Sequence, residues 1–368
     1  MGAHWWRGGA ADYIESRDDS DMNASLPEIA GIDAGPVTAW FAEHVPEAVA
    51  PLSFSRVAGG HSCLTFVVND ADGRRFVLRR PPLGIVLETA HDVRREHRIM
   101  SALAGTDVPV PEMLGVCEDV TVNDCPFFVM RFVEGVVLHD ADTVATALPS
   151  GDARRRACES MVDALVALHA INPDDVGLGD LSRPSGYLDR QLRRWSSQWT
   201  ASKTRELPDM EQLHAWLVEN RPEDPPARIV HGDFRLGNAL LGLDGQVRAM
   251  LDWELCSLGD PLADVSYLVR SWAAPEEAAG GSHDPPTQAG GFPSKGEVIA
   301  RYEERSGRML GDLDYWLAFN AWRSAAIAEG VYRRYVDGAM GETLANLEQY
   351  ARGVEASVQD GLGSAGLA

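Results

Sequence analysis

The sequence predicts an α+β chain of two lobes: a small antiparallel β-sheet lobe with one embedded helix, and a larger, mainly helical lobe. Three observations carry this. Strand-like alternation and hairpin turns gather in the first third, helical spacing dominates from about residue 135, and one short hairpin interrupts the helical part. A length of 368 residues fits two such lobes. A chain this long buries about three-quarters of its unfolded surface, so its core needs no disulfide or metal.

Residues 1–30 are polar, Gly- and Asp-rich and aperiodic, which predicts a poorly ordered leader, and Met22 offers an alternative start. The first lobe is expected over 31–134. Phe54 to Val57 reads as a strand, Leu64 to Asn69 as a second, and Asp72-Gly73 as the turn into a third at Phe76 to Arg79. A helix follows over Thr89 to Ala104. Val108-Pro109-Val110-Pro111 then forces extended chain, with strands expected at 113–117 and 126–133. The second lobe is expected over 135–360. Met161, Leu165 and Leu168 mark a helix over 152–170, and further helices are expected over 185–201 and 209–220. A β hairpin at 229–252 turns at Asp244-Gly245. The stretch 273–296 is Gly-, Pro- and Ala-rich and reads as a mobile loop, and 296–358 as helical.

Composition narrows the function. With 33 Lys+Arg against 55 Asp+Glu the net charge is −22, which argues against a nucleic-acid binder or a protein lying on an anionic membrane. No window approaches the roughly 20 apolar residues of a membrane span, and the first residues lack the apolar core of a signal peptide. Five scattered cysteines without a Cys-x-x-Cys pair give no zinc site and suit a reducing, cytoplasmic setting. No obligate protein partner is evident.

The chemistry concentrates in His231-Gly232-Asp233-Phe234-Arg235-Leu236-Gly237-Asn238, followed by Asp252 in Leu251-Asp252-Trp253-Glu254. Asp and Asn cap turns everywhere, so each residue alone says little. Together, at this spacing, they suit phosphoryl transfer: one carboxylate accepts the proton of an attacking hydroxyl, and an amide oxygen with a second carboxylate holds Mg²⁺ against a nucleotide triphosphate. The pattern is the His-x-Asp-x-x-x-x-Asn loop of kinases with a metal-binding Asp one hairpin later. Gly59-Gly60-His61-Ser62 forms a glycine turn between strands. It is either a plain turn or a cover whose N–H groups meet phosphates, and it is not a P-loop. Arg79 takes the place of the kinase lysine. Glu96 shares the apolar helix face of Val93, Met100 and Leu103, where a carboxylate needs a cation; an Arg79–Glu96 pair supplies one, and the alternative is a helix that turns Glu96 to solvent.

From about 53 to 355 the sequence resembles the aminoglycoside phosphotransferase and choline kinase-like family, most specifically in His231-Gly232-Asp233…Asn238 and Asp252-Trp253-Glu254…Gly259-Asp260-Pro261…Asp264. It is most similar to the subgroup that also occurs fused to acyl-CoA dehydrogenases, through Val77-Leu78-Arg79-Arg80-Pro81-Pro82, Gln191-Leu192-Arg193-Arg194-Trp195 and Gly330-Val331-Tyr332-Arg333-Arg334-Tyr335. The resemblance implies a protein-kinase-like fold and ATP as co-substrate, with Asp233 as catalytic base and Asn238 and Asp252 as magnesium ligands. It implies that Arg79 and Glu96 orient the nucleotide, that Gly59, Gly60, His61 and Ser62 cover the phosphates, and that Met130, Arg131, Phe132 and Val133 form the connection that reads the adenine. His231, Asp260 and Asp264 would brace the loop. Arg79 in place of Lys, and Cys63 after the phosphate loop, depart from the wider family pattern.

The acceptor is less legible. A polycationic aminoglycoside would want carboxylates; a hydroxy acid or a hydroxyacyl thioester of coenzyme A would want arginines. Arg194, Trp195, Arg323 and Arg333 are the expected acceptor residues, in helices that also hold Trp199, Trp316 and Trp322; the alternative is solvated arginines over core tryptophans. The subgroup resemblance favours a hydroxyacyl acceptor, with 273–296 as a lid. A non-catalytic nucleotide-binding module and a metal-assisted hydrolase are the competing readings.

Overall fold

In the computed structural model, residues 29–57, 63–83, 92–183, 185–277, 285–338 and 347–368 are described. The expected leader, the turn Gly59 to Ser62 and the expected helix start at Thr89 to His91 lie outside them, apart from Ile29 and Ala30.

The first lobe runs α1 (Ala34–His44), β1 (Ser53–Arg56), β2 (Leu64–Asn69), β3 (Arg75–Arg80), α2 (Val93–Leu103), β4 (Met113–Cys117), α3 (Val120–Asn123) and β5 (Phe127–Arg131). The strands form one antiparallel sheet in the order β1-β2-β3-β5-β4. Period-2 alternation gives this sheet two distinct faces. Phe66, Val68, Phe76, Leu78, Phe127 and Val129 point to one side, where Val37, Trp40 and Phe41 of α1 cover them. The other face carries Thr65, Arg79 and Phe128 in one register row and Val67, Val77 and Met130 in the next.

The helix α1 has no counterpart in the sequence expectation, although Val37, Trp40 and Phe41 hold i, i+3, i+4 spacing. Gly115 makes room for it: a Cβ there would sit 3.0 Å from the Trp40 ring. The embedded helix α2 begins later than expected, because Asp92 caps it by accepting from the Arg94 N–H at 3.1 Å. Strand β5 ends at Arg131, two residues short of the expected 133.

The second lobe contains α4 (Ala141–Ala147), α5 (Gly151–Ala170), α6 (Tyr187–Ser202), α7 (Pro208–Glu219), β6 (Arg228–Val230), β7 (Ala239–Leu241), β8 (Val247–Met250), β9 (Ser257–Gly259), α8 (Leu262–Arg270), α9 (Lys295–Ser306), α10 (Leu313–Val336) and α11 (Leu347–Ser364). The expected hairpin is β7–β8, turning at Asp244-Gly245, while β6 pairs instead with β9. The eight residues between β6 and β7 are therefore held at both ends by strands of different ladders.

One core joins the lobes: Val93, Ile99, Met100 and Leu103 of α2 share a cluster with Met161, Leu165 and Leu168 of α5 and with Trp253. A second core packs α6, α7, α10 and α11 around Trp195, Trp199, Trp316 and Trp322. Trp199, Trp316 and Trp322 are thus core residues, as in the alternative reading of the sequence. The described parts of 273–296 are tied down. The Ala273 N–H donates to Thr287 Oγ1 at 2.8 Å, and Arg154 on α5 donates to the Ala289 and Gly290 carbonyls at 2.9 and 2.8 Å. Residues 278–284 of that stretch lie outside the described residues. Among the described residues no helix is long and apolar enough to cross a membrane.

Phe41 is fully buried and meets Phe76 edge to face at 5.9 Å, so Phe41→Ala should cost about 3–5 kcal/mol in urea unfolding. A cost below about 1 kcal/mol would mean that α1 is not part of the sheet's core.

Candidate active site

The loop from His231 to Asn238 is held by Asp264, in the first turn of α8, whose two oxygens accept the His231 N–H at 2.6 Å and the Gly232 N–H at 2.8 Å. Burial alone would raise the Asp264 pKa, but these bonds and the neighbouring His169 hold it below the usual carboxylate range. His169, kept neutral chiefly by burial, lies 3.4 Å from Asp264 and 2.8 Å from the Tyr302 hydroxyl. Gly232 turns at φ +84°, with the Leu255 carbonyl 2.8 Å from where a Cβ would be, so only glycine fits. The His231 ring must donate from Nε2 to the Leu251 carbonyl at 3.0 Å, which leaves Nδ1 to accept the Asp233 N–H at 3.3 Å. His231 therefore splints the loop to the strand end that leads into Asp252.

Asp233 is buried, yet three groups favour its charge. Arg235 Nε donates to Oδ1 at 3.2 Å, Asn238 Nδ2 to Oδ2 at 2.8 Å, and the Tyr267 hydroxyl bonds to the same carboxylate. Burial pushes the Asp233 pKa up, but the Arg235 charge and the Tyr267 and Asn238 bonds outweigh it and bring it down to about 2. Asn238 spends its other Nδ2 hydrogen on the Asp233 carbonyl at 2.9 Å. Its Oδ1 is buried with no hydrogen-bond partner among the described residues. The Leu251 N–H donates to the Asn238 backbone carbonyl at 2.8 Å, which ties the end of the loop to the segment that leads into Asp252; Asp252 itself adopts the left-handed conformation at φ 68°.

Across the cleft, Arg79 Nε lies 2.9 Å from Glu96 Oε2, and Arg79 Nη2 lies 2.9 Å from Asp252 Oδ1. All three side chains are almost wholly buried. Burial pushes Glu96 up to about 7 against the pull of Arg79, whose own cationic form the two carboxylates reinforce. Arg80, one residue on, points to the opposite face, where it donates to the Gly31 carbonyl at 2.7 Å and pairs with Asp124 at 2.8 Å. Arg79, not Arg80, faces the cleft. From α2, Arg95 bonds the Glu254 and Cys256 carbonyls, tying that helix to the segment after Asp252. Beside Arg79 a mainly apolar pocket is lined by Val67, Val77, Met130, Phe132, Val133 and Leu251. The Arg131 guanidinium turns outward to Glu47 and Glu112. The Cys63 thiol is held at about 12, chiefly by burial, and is inert.

On the other side of Asp233, Arg323 donates to the Gly232 carbonyl at 2.8 Å. Its guanidinium lies 5.4 Å from the Tyr267 ring and 5.2 Å from the Trp195 ring, and Arg194 lies 5.0 Å from that same indole. Arg194, Trp195 and Arg323 thus come together. Arg333 does not: it is ten residues further along α10, about 15 Å away by helical rise, and pairs with Asp337 at 2.7 Å. Asp260 caps α8 through the Leu262 N–H at 2.9 Å, and burial raises its pKa to about 6.

Sequence reasoning passed over Arg235, Tyr267 and His169. The first two were within reach: Arg235 stands two residues after Asp233, and Tyr267 follows Asp264 by three residues on the same helix. Two oxygen donors from Asn238 and Asp252 fit magnesium, which takes few protein ligands and completes its shell with water and phosphate.

Residues 53–282 match the profile of the phosphotransferase enzyme family. The chain is 34% identical over 294 residues to mouse acyl-CoA dehydrogenase family member 10, covering 78% of this chain and 27% of that protein. It is 31% identical over 328 residues to human acyl-CoA dehydrogenase family member 11, covering 87% and 41%. The chain therefore spans less than half the length of these curated relatives. A crystal structure from Ralstonia eutropha, provisionally described as an aminoglycoside phosphotransferase, superposes with a TM-score of 0.77 at 34% identity, covering 91% of this chain and 98% of that one. A thermostable aminoglycoside phosphotransferase mutant bound to AMP-PNP and hygromycin B shares the kinase-like fold at a TM-score of 0.55 and 19% identity, covering 88% and 99%. The matched profile, these relatives and the shared fold make the chain a member of the phosphotransferase enzyme family.

Proposed function

We propose that the chain is an ATP-dependent phosphotransferase that moves the γ-phosphate to a hydroxyl of a small anionic acceptor, a hydroxy acid or a hydroxyacyl thioester of coenzyme A. The observation that carries the chemistry is the set of Asp233, Arg235, Asn238 and Asp252 on one splinted loop and the strand beside it. Asp233 receives the acceptor hydroxyl and takes its proton as the new O–P bond forms and the bond to the ADP oxygen breaks. A carboxylate held at about 2 is a weak base, so it orients the hydroxyl first and takes the proton late, once the oxygen has turned acidic. Arg235 sets a cation where phosphoryl charge develops. Asn238 and Asp252 would hold magnesium, which supplies neutralisation of the phosphate charge when bound.

The pocket lined by Met130, Phe132, Val133 and Leu251 suits an adenine, with Arg79 at its polar end. Arg194 and Arg323 favour an anion over the polycationic aminoglycosides that structural neighbours bind, and the acyl-CoA dehydrogenase names of the relatives point to acyl thioesters. A non-catalytic module would not need the Asp233 constellation.

Three outcomes test this reading. In an ADP-release assay with Mg-ATP and a panel of hydroxy acids, their coenzyme A thioesters, choline and aminoglycosides, Asp233→Ala should lose about 10²–10⁴ in turnover while keeping nucleotide binding. Retained turnover sinks the base assignment. Arg194→Ala should raise the acceptor KM about tenfold and leave the ATP KM unchanged, since a charge-assisted hydrogen bond is worth about 1.5–3 kcal/mol and this one is partly solvated. An equal rise in both would remove Arg194 from the acceptor site. Because the Asp233 pKa is depressed to about 2, the base is ionised throughout pH 5–9 and gives kcat/KM no acid limb there. Protonation of Glu96, near 7, and of Asp260, near 6, are the expected sources of such a limb. A limb in that window that survives both Glu96→Gln and Asp260→Asn contradicts the assignment.

A further inference from the structure

On the cleft face of the sheet one polar side chain has no work in the fold. Thr65 sits on β2 directly opposite Arg79 on β3, so the two side chains project from the same face as neighbours about 5 Å apart at Cβ. It is 7% exposed, and its hydroxyl has no hydrogen-bond partner among the described residues. Two residues on, Val67 faces Val77 and Met130, the apolar end of the pocket; beside it, Arg79 reaches Glu96 and Asp252, the charged end. Thr65 lines the same pocket, at the junction of its two halves.

A buried hydroxyl without a partner costs about 1–3 kcal/mol, and valine fills the same shape without that cost. Val67 and Val77 in the next row show that valine is well tolerated in this pocket. A threonine at the junction is therefore a group whose partner arrives with a ligand. We infer that the Thr65 hydroxyl hydrogen-bonds the nucleoside part of the bound nucleotide, between base and phosphates, and so contributes to nucleotide affinity. The inference rests on the nucleotide reading of this pocket. It predicts an unusual sign: removing the hydroxyl weakens binding but does not weaken the empty protein.

The test is titration calorimetry of the full chain with Mg·AMP-PNP, alongside thermal melting without nucleotide, for wild type, Thr65→Val and Thr65→Ser. The expected result is a Kd raised about five- to tenfold in T65V, as for one lost hydrogen bond, recovered largely in T65S, with the melting temperature of empty T65V equal to or above wild type. Wild-type affinity in T65V overturns the inference while leaving the nucleotide site standing. A lowered melting temperature with unchanged affinity also overturns it, because the hydroxyl then serves the fold. If wild type itself does not bind Mg·AMP-PNP, the nucleotide reading fails and the inference with it.

Discussion

A single guanidinium, that of Arg79, holds the two halves of the cleft in register. It is anchored on β3 of the first lobe and meets Glu96 of α2 and Asp252 of the second lobe, each at 2.9 Å and each buried. Taking three charges out of water is costly, and removing one partner strands the others. That asymmetry makes the bridge a positional constraint more than a source of stability. It requires β3, α2 and the end of β8 to keep one arrangement. Arg95 repeats the tie from α2 to the carbonyls of Glu254 and Cys256. The planar fork of arginine can serve two carboxylates at once, where a lysine would offer a single point of charge.

The second lobe solves a matching problem at Asp233. A loop of eight residues must present a carboxylate, an arginine and an amide within a few ångströms, and such loops do not hold themselves. Asp264 grips two successive N–H groups, His231 splints the loop to Leu251, and Arg323 holds the Gly232 carbonyl. Arg323 also reaches the Tyr267 ring, and Tyr267 bonds Asp233, so Arg323 and Asp233 share one network. Under the proposed function, that network couples acceptor binding to the orientation of the base.

Much of this was legible in the sequence, for identifiable reasons. The faces of β2, β3 and β5 follow from strict alternation, and Glu96 on an apolar helix face demanded the cation that Arg79 supplies. The loop motif specified Asp233, Asn238 and Asp252 by spacing. What sequence reasoning lost was tertiary. Val37, Trp40 and Phe41 carry a helical pattern too short to separate from a loop until the sheet face beneath them is known. The pairing of β6 with β9 depends on a partner 29 residues away, which no local signal encodes. Trp316 and Trp322 stayed open between pocket and core because aromatic composition does not say which side of a helix is buried, and Arg333 was placed in the site because sequence proximity hides a rise of nearly three turns from Arg323.

The defining event of the proposed chemistry is a phosphoryl group appearing on an acceptor hydroxyl. The most direct measurement is ³¹P NMR of the chain incubated with Mg-ATP and either a short hydroxy acid, its coenzyme A thioester or an aminoglycoside. A new phosphomonoester resonance, matched one to one by ADP, is expected with the hydroxy acid or its thioester. A phosphomonoester formed only on the aminoglycoside would contradict the acceptor class. Inorganic phosphate with no ester on any acceptor would contradict the phosphotransferase mechanism itself.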